Sequence, residues 1–112
     1  MRSPAALGYI RREESGTRRP WDETEIRRAA TDLGYSLIKI VVFGNDTDHP
    51  AMRLRNVARN MTRVHGVQIS AVLTPNLEHL DGDTAPVVEW CEEVVTVANG
   101  ASYSRHRSDA IA

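Results

Sequence analysis

The chain has 112 residues, of which 41% are hydrophobic and 26% are charged, with a formal net charge of -1. This composition is ordinary for one compact globular domain, and a near-neutral charge argues against a strong nucleic-acid binder. The apolar runs are too short to span a membrane, and Gly8, Tyr9 and Arg11 interrupt the start that a signal peptide needs. A single cysteine, Cys91, excludes an internal disulfide and favours a reducing compartment. We therefore expect a cytoplasmic protein with no membrane segment.

Strand and helix patterns alternate along the chain. Apolar runs predict four strands, at residues 5–11, 37–43, 67–73 and 94–97. Between the strands, a capping signature at Asp22 and a glycine at Gly34 predict one helix. Asp48 as the cap, Pro50 in the first turn and Gly66 at the end predict a second helix. A short helical segment is expected around residues 86–90.

This alternation predicts an α/β fold, a three-layer sandwich around a mostly parallel sheet of about four strands. The β-branched run at residues 37–43 is typical of a strand that is buried on both faces. Residues 12–20 are polar and indicate a loop. The domain is expected to span residues 1–97, followed by a C-terminal tail at residues 98–112 that is frayed or docked through Tyr103.

The end of the first predicted strand contains the sequence Tyr9-Ile10-Arg11, followed by Glu13 and Ser15. It resembles the first strand of the catalytic domain of the serine recombinases, the resolvase/invertase family. That family has Tyr-x-Arg-x-Ser, and its serine attacks a DNA phosphate. Here Tyr9 and Arg11 match, Glu13 occupies the place of the serine, and Ser15 follows two residues later. The resemblance implies a resolvase-like catalytic core.

Two later stretches keep the order of the family's motifs but lose their arginines. Asp48-His49-Pro50 resembles its Asp-Arg-Pro, and residues 77–82 resemble its Leu-Asp-Arg-Leu-x-Arg. His49, His79 and Gly82 stand in the arginine places, while Glu13 and Asp81 add negative charge where a phosphate would approach. Phosphoryl transfer needs an activated hydroxyl and fixed cations. The substitutions therefore predict a degenerate member, a pseudoenzyme without recombination chemistry.

Loops at one edge of an α/β sheet are where ligands bind, so the matched positions define a vestigial pocket. Its candidate residues are Tyr9, Arg11, Glu13, Ser15, Asp48, His49, Glu78 and His79. We predict no confident catalytic residue, no cofactor and no metal site, because paired histidine ligands and a glycine-rich phosphate loop are absent from the sequence. Two enzymatic alternatives stay open. One is an active or shifted-nucleophile recombinase or nuclease, and the other is an unrecognised small α/β enzyme that uses serine, histidine and a carboxylate.

Arg55, Arg59 and Arg63 recur every four residues and therefore share one face of the second predicted helix. Such a face either is solvated or contacts phosphates or an acidic partner. Residues 78–93 are acidic and could receive these arginines from another copy, so we expect a protein partner, with a homodimer favoured. Trp90 is expected to close the core, and would mark an interface if exposed.

Active members of the resembled family add a long dimer-forming helix and a DNA-binding domain after the catalytic core. About fifteen residues follow the last predicted strand, which is too few for either part. DNA binding is therefore expected to be weak. The functional hypothesis is protein–protein association, in a regulatory role or within a DNA transaction.

Overall fold

A five-stranded sheet with the order β2-β1-β3-β4-β5 forms the centre of the computed structural model, which describes residues 3–104. The strands are β1 (Ala5–Arg11), β2 (Ser36–Phe43), β3 (Ile69–Thr74), β4 (Glu93–Thr96) and β5 (Ala101–Tyr103). Strands β1 to β4 are parallel, and β5 runs antiparallel to β4. The α/β fold with a mostly parallel sheet is therefore confirmed.

Helices connect the parallel strands. They are α1 (Arg12–Ser15), α2 (Arg19–Leu33), α3 (Pro50–His65) and α4 (Ala85–Val88), with 3-10 helices at Gly16–Arg18 and Leu77–Leu80. Gly34 and Gly66 adopt left-handed φ angles of 80° and 68°, and their N–H groups bond to carbonyls in the last turns of α2 and α3. Both predicted helix ends are thus confirmed, since glycine reaches this conformation without a Cβ penalty.

The predicted helix starts are wrong. Helix α2 begins at Arg19, with Pro20 in its first turn, so Asp22 lies inside the helix and caps nothing. Proline suits a first helical turn, which is why the helix extends back into the segment predicted to be a loop. Helix α3 has His49 as its N-cap instead of Asp48, and no side chain caps its first turn.

Alternating side chains of β1 divide the core between the two faces of the sheet. Leu7 and Tyr9 belong to one cluster, which includes residues of α3 and α4. Ala6 and Ile10 belong to the other cluster, which includes Ile26 of α2. Because helices cover both faces, the predicted three-layer arrangement is present.

Position in the sheet decides which strand is buried. Strand β2 lies at the edge, and only Val41 of its eight residues is fully buried. The prediction of a strand buried on both faces is therefore wrong for β2. Strand β1 lies between β2 and β3, and six of its seven residues are buried.

The fifth strand lies in the segment that was predicted to be a tail. Ala101–Tyr103 pairs with β4, and Tyr103 packs against the core cluster on the α3 side. The expected number of strands is one short because a three-residue strand leaves almost no periodic pattern. The rest of the predicted tail, residues 105–112, lies outside the described residues.

Candidate functional site

A cavity of about 360 Å³ opens near the carboxyl ends of β1 and β3. Strand β1 lies between β2 and β3, so the connections that follow β1 and β3 leave the sheet in opposite directions. Open α/β sheets bind ligands at such a switch point. The polar lining residues are Tyr9, Arg11, His49, His79, Asp81 and Asp83. Four of the eight predicted pocket residues therefore line one cavity, namely Tyr9, Arg11, His49 and His79. Glu13, Ser15, Asp48 and Glu78 do not line it.

Arg11 is held by a carboxylate of its own chain. Its guanidinium donates one hydrogen bond to Asp81 Oδ1 at 2.6 Å and a second to Asp81 Oδ2 at 3.0 Å. The Arg11 side chain is 12% exposed and that of Asp81 is 71% exposed. The hydrogen bonds raise the pKa of Arg11 and lower the pKa of Asp81, so both groups are charged at neutral pH. Two donors of the arginine that faces the cavity are thus already used.

His79 supports the end of β1 and carries no charge there. The ring is buried, and its Nδ1 accepts a hydrogen bond from the backbone N–H of Arg11 at 2.9 Å. In the neutral ring the proton is therefore assigned to Nε2. Burial lowers the pKa of His79, although the negative charges of Asp22 and Glu14 oppose that shift. His79 consequently supplies no cation in place of the arginine that the resembled family has at this position.

Ser15 is engaged inside the protein. It ends α1, it is buried, and its hydroxyl donates a hydrogen bond to Oδ2 of Asp22, which is also buried. Sequence reasoning treated Asp22 as a helix cap and missed this pair. Pro20 was the available signal, because a proline in the first turn starts the helix earlier and turns Asp22 inward.

The remaining predicted pocket residues, Glu13, Asp48 and Glu78, lie outside the cavity lining. The Glu13 carboxylate accepts a hydrogen bond from the backbone N–H of Asn45 at 2.8 Å. The Asp48 backbone carbonyl accepts one from Arg53 Nε at 2.8 Å. Glu78 is exposed in the 3-10 helix after β3. Glu13 and the Asp48 backbone thus stabilise neighbouring loops, and Glu78 faces solvent.

Tyr9 forms a neutral wall of the cavity. Its side chain is buried, and its ring meets Phe43 edge to face, with the ring centroids 5.8 Å apart. Burial raises the pKa of Tyr9, and the positive charge of Arg11 only partly opposes this. The hydroxyl therefore stays protonated at neutral pH.

Backbone strain is concentrated at the same cavity. Within residues 3–104, the non-glycine residues with positive φ are His49, at 51°, and Asp81, at 55°. Both of them line the cavity. A left-handed conformation costs a non-glycine residue about 1–2 kcal/mol, and such strain clusters at ligand sites. The Asp81 carboxylate meets Arg11 from this left-handed turn, and the two hydrogen bonds help to hold the turn.

The predicted stripe of Arg55, Arg59 and Arg63 lies elsewhere. All three residues line a hollow of about 350 Å³, together with Trp90. Trp90 is half-buried and packs against the core cluster on the α3 side, as expected for a residue that closes the core. The arginine stripe and the vestigial pocket are therefore two separate surfaces.

Within the described part of the chain, no three His, Cys, Asp or Glu residues are grouped so that they could hold a metal ion. No helix in that part is both long and apolar enough to cross a membrane. Searches against protein-family models, curated proteins and solved structures found no match to this chain. The resemblance to serine recombinases therefore stays a prediction that depends on the quoted sequence motifs.

Proposed function

We propose that the chain is a resolvase-like α/β domain that performs no strand transfer and acts by associating with a protein partner, a second copy of itself included. Such a domain would act in a regulatory role or within a DNA transaction. The observation that carries this proposal is the pair of hydrogen bonds between Arg11 and Asp81. That pair occupies the one arginine retained from the resembled motifs.

The ion pair opposes phosphate binding for an electrostatic reason. Arginine recognises a carboxylate or a phosphate with the same two parallel donors, so a DNA phosphate would have to displace Asp81. The displaced carboxylate would remain near the phosphate, and Asp83 also lines the cavity. Transition-state stabilisation requires preorganised cations at this point, and the loss of one donor alone costs about 10²–10³ in rate.

The position of Ser15 opposes nucleophilic attack. A serine nucleophile needs a base that takes its proton and an open path to the phosphorus atom. Ser15 is buried, donates a hydrogen bond to the buried carboxylate of Asp22 and does not line the cavity, so no path to a phosphorus atom is open. His79 cannot accept a proton at Nδ1 while that atom binds the Arg11 backbone N–H.

An intact scaffold remains, and its surface supports a binding role. A hydrophobic core packs on each face of the sheet, while Arg55, Arg59 and Arg63 have no carboxylate partner among residues 3–104. Arginine is enriched at protein interfaces and contributes disproportionately to their affinity. A folded domain whose pocket arginine is already bound by Asp81, and whose α3 arginines have no carboxylate partner among the described residues, fits association better than catalysis.

The proposal is tested by two measurements on the full chain. Supercoiled DNA incubated with the protein and then denatured should yield no covalent protein–DNA adduct, while an active serine recombinase under the same conditions yields one. An adduct that disappears in Ser15→Ala would establish the shifted-nucleophile alternative instead. Sedimentation velocity over a wide concentration range, followed by partner capture from the native host, tests association. A strictly monomeric protein that captures no partner would overturn the binding role.

A further inference from the structure

Two hollows of opposite charge lie side by side at the edge of the sheet where β3 and β4 begin. The basic hollow has a volume of about 350 Å³ and is lined by Arg55, Arg59 and Arg63. The acidic hollow has a volume of about 490 Å³ and is lined by Glu89, Glu92 and Glu93. The Glu93 carboxylate accepts hydrogen bonds from the hydroxyls of Tyr35 and Ser102, so Glu89 and Glu92 are the exposed carboxylates of this hollow. Gln68, Ile69 and Trp90 line both hollows and therefore form the wall between them.

The arginines of α3, which form the basic side of this surface, differ from the arginines of α2 in their ion pairing. Helix α3 contains four arginines and no acidic residue, whereas Arg19, Arg27 and Arg28 of α2 each pair with a glutamate one turn away. Pairs of that kind are the ordinary way in which a solvated helix balances its charge. The arginines of α3 have no such balance within their own helix.

Trp90 lies in the wall between the two hollows, and its indole N–H has no hydrogen-bond acceptor among the described residues. Its indole Nε1 and the Nε of Arg55 are covered from solvent, and neither has an acceptor among the described residues. A buried donor left in this condition typically costs about 1–3 kcal/mol, so this wall has unmet hydrogen-bonding capacity in the isolated chain. Tryptophan and arginine are also the residue types most enriched at the energetic centres of protein interfaces.

We infer that this bipolar surface is the contact between two copies of the chain, an inference that rests on the proposed function and names its partner. In a two-fold dimer the same patch meets itself, so a patch with a basic half and an acidic half is complementary to its own rotated copy. The arginines of one copy face the glutamates of the other, and the two Trp90 side chains lie near the axis. A phosphate backbone that entered the basic hollow would instead meet repulsion from Glu89 and Glu92 across the wall.

Charge reversal tests the geometry directly. A basic-reversed variant contains Arg59→Glu and Arg63→Glu, and an acid-reversed variant contains Glu89→Arg and Glu92→Arg; all four positions are exposed. In sedimentation velocity, each variant alone should dimerise at least about 100-fold more weakly than the wild type, as expected for desolvated charge pairs. An equimolar mixture of the two variants should form a heterodimer, because both halves of the interface become attractive again.

Two matched variants control for net charge and for other cations. Arg27→Glu with Arg28→Glu makes the same charge change on α2 and should leave the dimer intact. Arg105→Gln with Arg107→Gln removes the arginines that follow the acidic hollow along the chain, and should also leave it intact. Loss of the dimer in either control would overturn the inference, because the positive charge would then come from a site other than α3.

The remaining outcomes separate this inference from the proposed function. If the wild type and both reversed variants dimerise equally, the chain self-associates through another surface, and the inference that the bipolar surface is the dimer contact is wrong. If the wild type is monomeric but captures another protein, the inference that the partner is a second copy is wrong, while the proposed binding function stands. A monomeric wild type that binds a fluorescent single-stranded oligonucleotide saturably, with binding lost in the basic-reversed variant, would assign the basic hollow to nucleic acid and overturn the inference.

Discussion

Arginines lie at both edges of the sheet, and the two edges differ in whether those arginines have a carboxylate partner. At the edge where β1 and β3 end, Arg11 is bound by Asp81 and Ser15 is bound by Asp22. At the edge where β3 and β4 begin, Arg55 and its neighbours on α3 have no carboxylate partner within residues 3–104. Arg11 and Ser15, which resemble catalytic residues, thus have partners within the chain, whereas the α3 arginines without a carboxylate partner among residues 3–104 lie where the sequence offers no catalytic motif.

The residues that resemble a catalytic motif are therefore not the residues that are available to bind a partner. Sequence motifs pointed to the first edge, where Arg11 and Ser15 lie, but a group that already has a partner within the chain gains less by binding a ligand. An arginine without a carboxylate partner gains more, since binding can supply that partner. The internal contacts of the first edge should therefore contribute to stability, and the charges of the second edge should contribute to association.

The largest stability effect is expected at His79. Replacing His79 with alanine empties a buried volume and leaves the backbone N–H of Arg11 without its acceptor. The free energy of unfolding should fall by about 2–4 kcal/mol, measured by urea denaturation followed by circular dichroism.

The matched control for this variant is His65→Ala, at an exposed position in the last turn of α3. Its unfolding free energy should stay within about 0.5 kcal/mol of the wild type, because exposed substitutions away from special contacts have small effects. Equal losses in the two variants would show that His79 does not support the first edge.

A smaller effect is expected at Ser15. Ser15→Ala removes the donor to Asp22 and leaves that carboxylate buried without its partner. The unfolding free energy should fall by about 1–3 kcal/mol in the same urea assay, with dimerisation unchanged. Thr17→Ala, on the exposed neighbouring turn, should change little. If Ser15→Ala proved neutral, the hydroxyl would not be engaged and would again be a candidate nucleophile.

The smallest effect concerns the ion pair at the first edge. The hydrogen bonds from Arg11 hold the pKa of Asp81 below its ordinary value of 3.8. A lowered pKa in the folded state means that the pair stabilises the fold above about pH 4 and that this contribution is lost as pH falls further. Because Asp81 is exposed, the contribution of this ion pair to the free energy of unfolding should be at most about 1 kcal/mol.

NMR titration of the Asp81 side-chain carboxyl carbon measures this shift. In Arg11→Gln the Asp81 pKa should rise towards its ordinary value, since the charge-assisted hydrogen bonds are gone. In Arg27→Gln, which alters a pair on α2, the Asp81 titration should not move. Identical Asp81 titrations in the wild type and Arg11→Gln would mean that no ion pair forms in solution.

Local patterns predicted local structure well. The bounds of β1 agree with its apolar run, and Gly34 and Gly66 end their helices as glycines at such positions do. The internal partners could not be predicted in the same way. Asp81 is separated from Arg11 by 70 residues, so their meeting depends on how β3 packs beside β1 and not on any spacing in the sequence.

Strand burial failed as a prediction for a related reason. An apolar run indicates that a strand forms, but its neighbours in the sheet determine how much of it is covered. Strand β2 has the most continuous β-branched run and lies at the edge. The Ser15–Asp22 pair was missed because the helix start was placed too late, which made a buried carboxylate look like an exposed cap.

The central place of β1 also constrains how the chain folds. Ala5 pairs with Ser36 on one side and with Ile69 on the other, so the first strand completes its ladders only with segments far along the chain. Closing loops of that length has an entropic cost that is paid before the contacts form, which slows folding. During synthesis β1 should therefore remain without its full set of partners until β3 has emerged from the ribosome, and this apolar strand would be the segment most in need of protection by a chaperone.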